Sequence, residues 1–224
     1  MLRRLKFINY NVRKTAVFAL VVCIISACGT TASAKRAKGK TKTLVAERAP
    51  LNDGDRARLL SIAKSALGKP SLKVGKRSFR SDCSGTIRAI FTKAKIGLGG
   101  VIKKDNDNDV KTIYRFVQKY GSVIREEPLV GDLVFFHNTY DRSCNGQMND
   151  ALTHVGLVEK VEGQTVHFIH HLGRSIIRSK MNLSLPNETY DPKTRKRINH
   201  ILRRAEGQHR AFTAAQLFAG FGRL

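Results

Sequence analysis

Apolar residues in this chain recur with two different periods, and the change of period separates a helical first part from a stranded second part. From Asp53 to Leu67 the positions Leu59, Leu60, Ile62, Ala63, Ala66 and Leu67 share one helical stripe, with Asp53 or Asp55 as the start signal and Gly68-Lys69-Pro70 as the stop. Ile87, Ile90, Phe91 and Ala94 form a second stripe, and Val110, Ile113, Phe116 and Val117 a third that Gly121 ends. The period then shortens. Leu133-Val134-Phe135-Phe136 is a β-rich run entered through a turn at Gly131, and Thr153 to Val161 reads as a strand. Glu162-Gly163-Gln164 hands that strand to Thr165–His171, which makes an antiparallel hairpin. Near the end, Ile198, Ile201 and Leu202 suggest a basic strand, followed by a short helix from Thr213 through Leu217 and Phe218. Helices first and strands afterwards predict an α+β domain, with N-terminal helices packed on an antiparallel sheet.

The first fifty residues follow another rule. Arg3, Arg4, Lys6, Arg13 and Lys14 precede an apolar run from Thr15 to Ala27 that stops at Cys28, the order of a secretory signal. The run is too short to cross a bilayer comfortably. The tetrad Ile25-Ser26-Ala27-Cys28 resembles a bacterial lipobox, which implies cleavage before Cys28, lipidation of that cysteine and membrane anchoring. Gly29 in place of an aspartate is similar to the sorting choice for the outer membrane, facing the periplasm. Residues 28–50 are polar and rich in lysine, and read as a flexible tether. The expected organisation is therefore signal 1–27, tether 28–50 and one domain over 51–224.

Charge and cysteine content narrow the partners. A formal charge of +24 over 224 residues calls for an anionic partner. Export removes nucleic acid from consideration and leaves lipid headgroups and the carboxylates of peptidoglycan. Of the four cysteines, Cys23 leaves with the signal and Cys28 takes lipid, so only Cys83 and Cys144 remain and no disulfide framework follows. A bridge between those two would consume the one cysteine with a chemical context.

That context is Ser81-Asp82-Cys83-Ser84-Gly85, directly before the second helical stripe. A cysteine at a helix N-terminus meets unpaired N–H groups and positive potential, which lower a thiol pKa from its free value of about 8.5. The same N–H groups can stabilise an oxyanion. A thiolate nucleophile also needs an imidazole within reach, and that imidazole needs a partner on its other nitrogen. Neighbouring hairpin strands can supply both, and His154, His167, His170 and His171 lie on them.

The helix–loop–Asp82-Cys83-Ser84-Gly85–helix block, the Gly131-Asp132-Leu133-Val134-Phe135-Phe136 strand, His154-Val155-Gly156 and Phe168-Ile169-His170 together resemble the NlpC-type, papain-like cell-wall peptidases, over roughly residues 51 to 205. The resemblance implies Cys83 as nucleophile, His154 as base and then acid, and His170 as the residue that orients His154. His167 and His171 are rivals for the third position, placed by strand alternation on the face opposite His170. It further implies a peptidoglycan stem peptide as substrate, cleaved at the D-γ-glutamyl–diaminopimelate bond, with Asp82 and Ser84 near its free amine. Asp and Ser are also good helix caps. Where the family has Pro-Tyr ahead of the cysteine this chain has Pro70-Ser71, so Ser71 stands at a substrate-lining position.

The segment from His137 to Leu152 is long for that family. It loosely follows a calcium-loop pattern, with Asp141, Ser143, Asn145 and Asn149 as oxygen donors and Gly146 at the sixth place. A plain polar turn over the cleft is the simpler expectation. No zinc pattern accompanies the histidines, no cofactor is expected, and the chain is expected to be monomeric. The rivals to the peptidase reading are a related CHAP-type amidase, an acyltransferase using the same triad, and a basic wall-binding lipoprotein without activity.

Overall fold

In a computed structural model the described residues are 49–105 and 107–224; the expected signal, Cys28 and nearly all of the tether lie outside them. Three helices come first. Asn52, one residue ahead of the expected aspartates, caps α1 (Asp53–Ser65) by accepting from the Asp55 N–H at 2.9 Å. Asp53 and Asp55 fall instead in the first turn, against the positive end of the helix dipole. Helix α2 (Cys83–Lys93) starts at the cysteine itself, and α3 (Asp109–Tyr120) is capped by Asn108, whose side chain accepts from the Lys111 N–H at 2.7 Å. Among the described residues, no helix is long and apolar enough to cross a membrane.

Eight strands follow: β1 (Ser122–Ile124), β2 (Leu133–Phe136), β3 (His154–Glu162), β4 (Thr165–Leu172), β5 (Ser175–Asn182), β6 (Ile201–Arg203), β7 (Phe212–Thr213) and β8 (Phe218–Arg223). Six of them form one antiparallel sheet in the order β1-β8-β2-β3-β4-β5, and β6 pairs with β7 separately. The α+β expectation holds. The expected helix at Thr213–Phe218 does not. Thr213 and Gln216 instead close a tight turn, the Gln216 side chain accepting from the Thr213 N–H at 2.9 Å and Thr213 Oγ1 from the Gln216 N–H at 3.2 Å. The chain then runs as β8 into the sheet between β1 and β2.

The sheet has a core on each face. Leu133, Phe135, Val155, Leu157 and Ile169 meet the helices through Leu59, Ile87, Ile90 and Ile113, while Val134, Phe136, Val158, Val166, Phe168 and Phe221 form the other cluster. Alternation along each strand assigns these sides. Burying five of the largest side chains, Phe91, Phe135, Phe136, Phe168 and Phe221, on both faces makes the sheet a rigid base for groups at its rim. Asp132, fully buried at the entrance to β2, fastens that base: Arg56 of α1 pairs with its Oδ1 at 2.7 Å and Arg223 of β8 with its Oδ2 at 3.1 Å.

Candidate active site

The N-terminus of α2 is built by Asp82. Its Oδ1 accepts from the Gly85 N–H and the Ser84 hydroxyl, both at 2.8 Å, and its Oδ2 pairs with Arg80 Nε at 2.8 Å. Desolvation raises the Asp82 pKa, but these hydrogen bonds and the Arg80 charge outweigh it and hold the carboxyl below its ordinary value. Gly85 is required by this turn, because a Cβ there would stand 2.1 Å from the Arg80 carbonyl oxygen. With the Gly85 N–H taken, the N–H groups of Cys83 and Ser84, joined by that of Val155 on β3, favour the ionised form of the Cys83 sulfur. Desolvation is nevertheless the largest influence, and the nearby Asp82 charge adds to it, so the thiol is pushed up to about 11. The expectation of a lowered pKa from the helix terminus is reversed, because burial costs the thiolate more than three N–H groups return.

Cys83 and His154 line one cleft of about 600 Å³, together with Arg80, Asn108, Tyr140, Thr153 and His171. His154 opens β3 opposite Phe136 in the β2 register. Its Nε2 lies 2.7 Å from His170 Nδ1 on β4, the two rings nearly perpendicular at 85° with centroids 5.0 Å apart. Phe136 and Phe168 carry this pair, with centroid distances of 6.0 Å to His154 and 4.9 Å to His170. Such a dry setting disfavours charge. Burial lowers the His154 pKa to about 4, helped by His171 and opposed by Asp82, and it holds His170 well below the usual imidazole range. Gly156 permits the close packing of β3 on β4, since a Cβ would come within 3.0 Å of the Phe168 ring and 3.3 Å of His170 Cβ.

The rivals for the third position are engaged elsewhere. His171 Nε2 donates to the Pro70 carbonyl at 2.9 Å, which ties the segment before the cysteine to β4, and His167 pairs with Glu162 at 2.9 Å. Ser71 is half-buried and is not among the residues lining the cleft. The far wall comes from the loop between β2 and β3. Thr153 Oγ1 accepts from the Thr139 N–H at 2.9 Å, and Asp150 Oδ2 accepts from the Arg142 N–H at 2.9 Å, so Tyr140 is held over the site. Desolvation and the neighbouring Cys83 raise the Tyr140 pKa.

In the same loop Asp141 accepts from the Gly146 N–H at 2.7 Å and the Asn145 N–H at 3.3 Å, while Asn145 Oδ1 accepts from the Gln147 N–H at 2.9 Å and Asn149 Oδ1 from the Asn145 amide at 3.4 Å. Together with Ser143, whose hydroxyl reaches Asp141 at 3.3 Å, these candidate calcium ligands are engaged by donors of the loop itself. Among the described residues no group of three or more His, Cys, Asp or Glu could hold a metal ion.

The sequence profile of the NlpC/P60 family matches residues 68–195, more than half of the chain. The chain belongs to the NlpC/P60 family. NlpC/P60 proteins are cell-wall hydrolases of the cysteine peptidase or amidase kind, and the matched span holds Cys83, His154 and His170 together. Among solved structures, the chain is similar to a lipoprotein-like NLP/P60 protein of Staphylococcus aureus subsp. aureus Mu50, with 26% identity and a TM-score of 0.38 over 62% of this chain and 39% of that one. It is also similar to the protein Ly7917, with 19% identity and a TM-score of 0.37 over 57% and 56%. It therefore spans less than two thirds of either. No curated protein matches it. The NlpC/P60 span ends before β6, β7 and β8, so the strand that completes the sheet lies beyond it. Arg80 and Asn108 were absent from the sequence expectations of cleft residues in this NlpC/P60 chain, Tyr140 was anticipated only through its loop, and His171, a rival for the third position, lines the cleft with its hydrogen bond to Pro70 rather than to His154. For Tyr140 the unusual length of its loop was the available signal.

Proposed function

We propose that the protein hydrolyses an amide bond of peptidoglycan stem peptides, the D-γ-glutamyl–diaminopimelate bond, through an acyl-enzyme on Cys83. The observation that carries this reading is the hydrogen bond between His154 and His170. It engages Nε2 of His154 and leaves Nδ1 for a proton from the thiol lining the same cleft. His154 Nδ1 takes that proton as the sulfur attacks the carbonyl carbon, and returns it to the leaving amine nitrogen as the C–N bond breaks. Water then attacks the thioester with His154 again as base, releasing the acid and the free thiol. The positive end of α2 faces the charge that develops on the carbonyl oxygen. Asp82 and Ser84 at the cleft rim are assigned to the substrate's free amine, which would share the Asp82 carboxylate with Arg80.

In this reading Cys28 carries the lipid that anchors the mature chain to the outer membrane on the periplasmic side, and the basic tether lets a monomeric domain reach the wall. Purified sacculi supply the test: wild type releases muropeptides cut within the stem, identified by mass spectrometry, and Cys83→Ala releases none. Release by Cys83→Ala, or products cut at the sugar–peptide amide, would reject the proposed reaction.

A further inference from the structure

Behind the candidate base a hydroxyl-bearing residue is buried that the reaction above leaves unused. Ser179 lies on β5, opposite Phe168 in the register and therefore diagonal to His170 on the same face of the sheet. Its Oγ is 2.9 Å from His170 Nε2, and both residues are shut off from solvent. His154, His170 and Ser179 thus form an unbranched file, with contacts of 2.7 and 2.9 Å.

A file of two imidazoles and a hydroxyl can run in two directions. In one, His154 carries its proton on Nε2 and donates to His170 Nδ1, while His170 donates from its own Nε2 to Ser179 Oγ. His154 Nδ1 is then bare and can accept from the thiol. In the other, the serine hydroxyl donates to His170 Nε2, His170 donates from Nδ1 to His154 Nε2, and His154 presents an N–H to the sulfur. Only the first direction can also hold His154 as imidazolium, because a charged His154 donates from both nitrogens and needs a lone pair on His170 Nδ1. We propose that Ser179 is a positioning residue that sets this direction by accepting the His170 Nε2 proton. The inference rests on the reading of His154 as the base of Cys83.

The decisive difference lies in the buried donor. Without the serine oxygen, the His170 Nε2–H would have no acceptor, whereas a bare nitrogen at the same place is left unpaired at less cost. The balance would swing to the direction in which His154 cannot take a proton. The test uses the whole protein, 15N-labelled at histidine, with NMR of the ring nitrogens and steady-state kinetics on stem peptide. Expected are His170 protonated on Nε2 in the wild type, and in Ser179→Ala a shift toward the Nδ1–H form. In that variant kcat falls roughly 10- to 100-fold with KM within about twofold, the scale set by losing an outer partner of a functional histidine. Ser179→Thr, which restores the hydroxyl, recovers most of kcat. A wild-type His170 protonated on Nδ1 would overturn the proposal, and that reading needs no variant to fold. So would a folded Ser179→Ala that turns over like wild type while Cys83→Ala is dead, in which case Ser179 alone is wrong. Activity in Cys83→Ala would sink the underlying reaction, and this inference with it.

Discussion

Both partners of the candidate proton transfer are uncharged at neutral pH, His154 with a pKa near about 4 and Cys83 near about 11. A thiol held this way does not form a standing thiolate–imidazolium pair; the proton moves as the sulfur attacks. The consequence can be measured on the resting enzyme. Alkylation of Cys83 by iodoacetamide, followed by intact mass, is expected to be slow at pH 6 and to climb through pH 9 and beyond, as the thiolate fraction rises toward the folded pKa. A fast rate that is already flat from weakly acidic pH would mean a preformed ion pair and would refute the neutral pair. Cys144, exposed on its loop, serves as the internal control. Sequence patterning placed Cys83 before a helical stripe and histidines on both hairpin strands, because those are local signals, while the choice of His154 with His170 among them came from the family resemblance. Patterning misjudged the thiol's pKa because desolvation depends on what covers the sulfur, including β3 more than seventy positions along the chain. Ser71 was expected on the cleft and Asn108 was not, for the same reason: neighbours across a cleft are not neighbours in sequence.

The loop from His137 to Leu152 acts as one element, although it contains no regular structure. Its ends are joined by the Asn138 N–H to the Asp150 carbonyl at 2.8 Å and by the Asp150 N–H to Asn138 Oδ1 at 2.6 Å. From outside, Arg203 of β6 donates to the Asn138 carbonyl at 3.2 Å, and His209 donates to the Gly146 carbonyl at 2.7 Å. The small β6–β7 sheet therefore braces the loop that carries Tyr140. Replacing Asp150, buried with its carboxylate on the Arg142 and Ser143 N–H groups, leaves those donors unpaired at a cost of about 1–3 kcal/mol confined to the loop. Asp150→Ala is expected to raise KM several-fold, with kcat less affected, and to speed proteolytic cleavage between 140 and 149. Unchanged KM and unchanged cleavage would remove the loop from substrate binding. The helices and the β3–β4 hairpin were legible because their apolar periods are regular. Strand β5 mixes Arg178, Ser179 and Lys180 into its run, and β8 carries Gly220 and Gly222, so neither shows a clean alternation. Their places are set by pairing with distant partners, which patterning within a window does not register.

Two features bind the described residues into one cooperative unit, and each makes a prediction about global stability. Asp132 links α1, β2 and β8: it is paired to Arg56 and Arg223, and its Oδ2 also accepts the Leu129 N–H at 2.9 Å. Asp132→Ala strands two cations at once, so urea unfolding should show a loss of about 3–5 kcal/mol, the scale of breaking a buried pair from one side. A loss under about 1 kcal/mol, the scale of an exposed pair, would mean that solvent already satisfies the arginines. The second feature is the neutral histidine pair. In the unfolded chain His154 titrates near 6.5, whereas folded it does so near about 4. Between these values the unfolded state binds more protons, so the stability this burial confers is complete above about pH 6.5 and is lost as pH falls toward about 4. The gap corresponds to about 3 kcal/mol for His154 alone, and His170, lowered further by burial and by His154, acts in the same direction. Urea midpoints at pH 7.5 and 4.5 should therefore differ strongly in the wild type. The difference should shrink by about one proton's worth of slope in a folded His154→Gln and again in His154→Gln/His170→Asn. Equal pH slopes in wild type and the double variant would show that the two imidazoles bind protons alike in the folded and unfolded chain, and would refute the lowering of their pKa by burial.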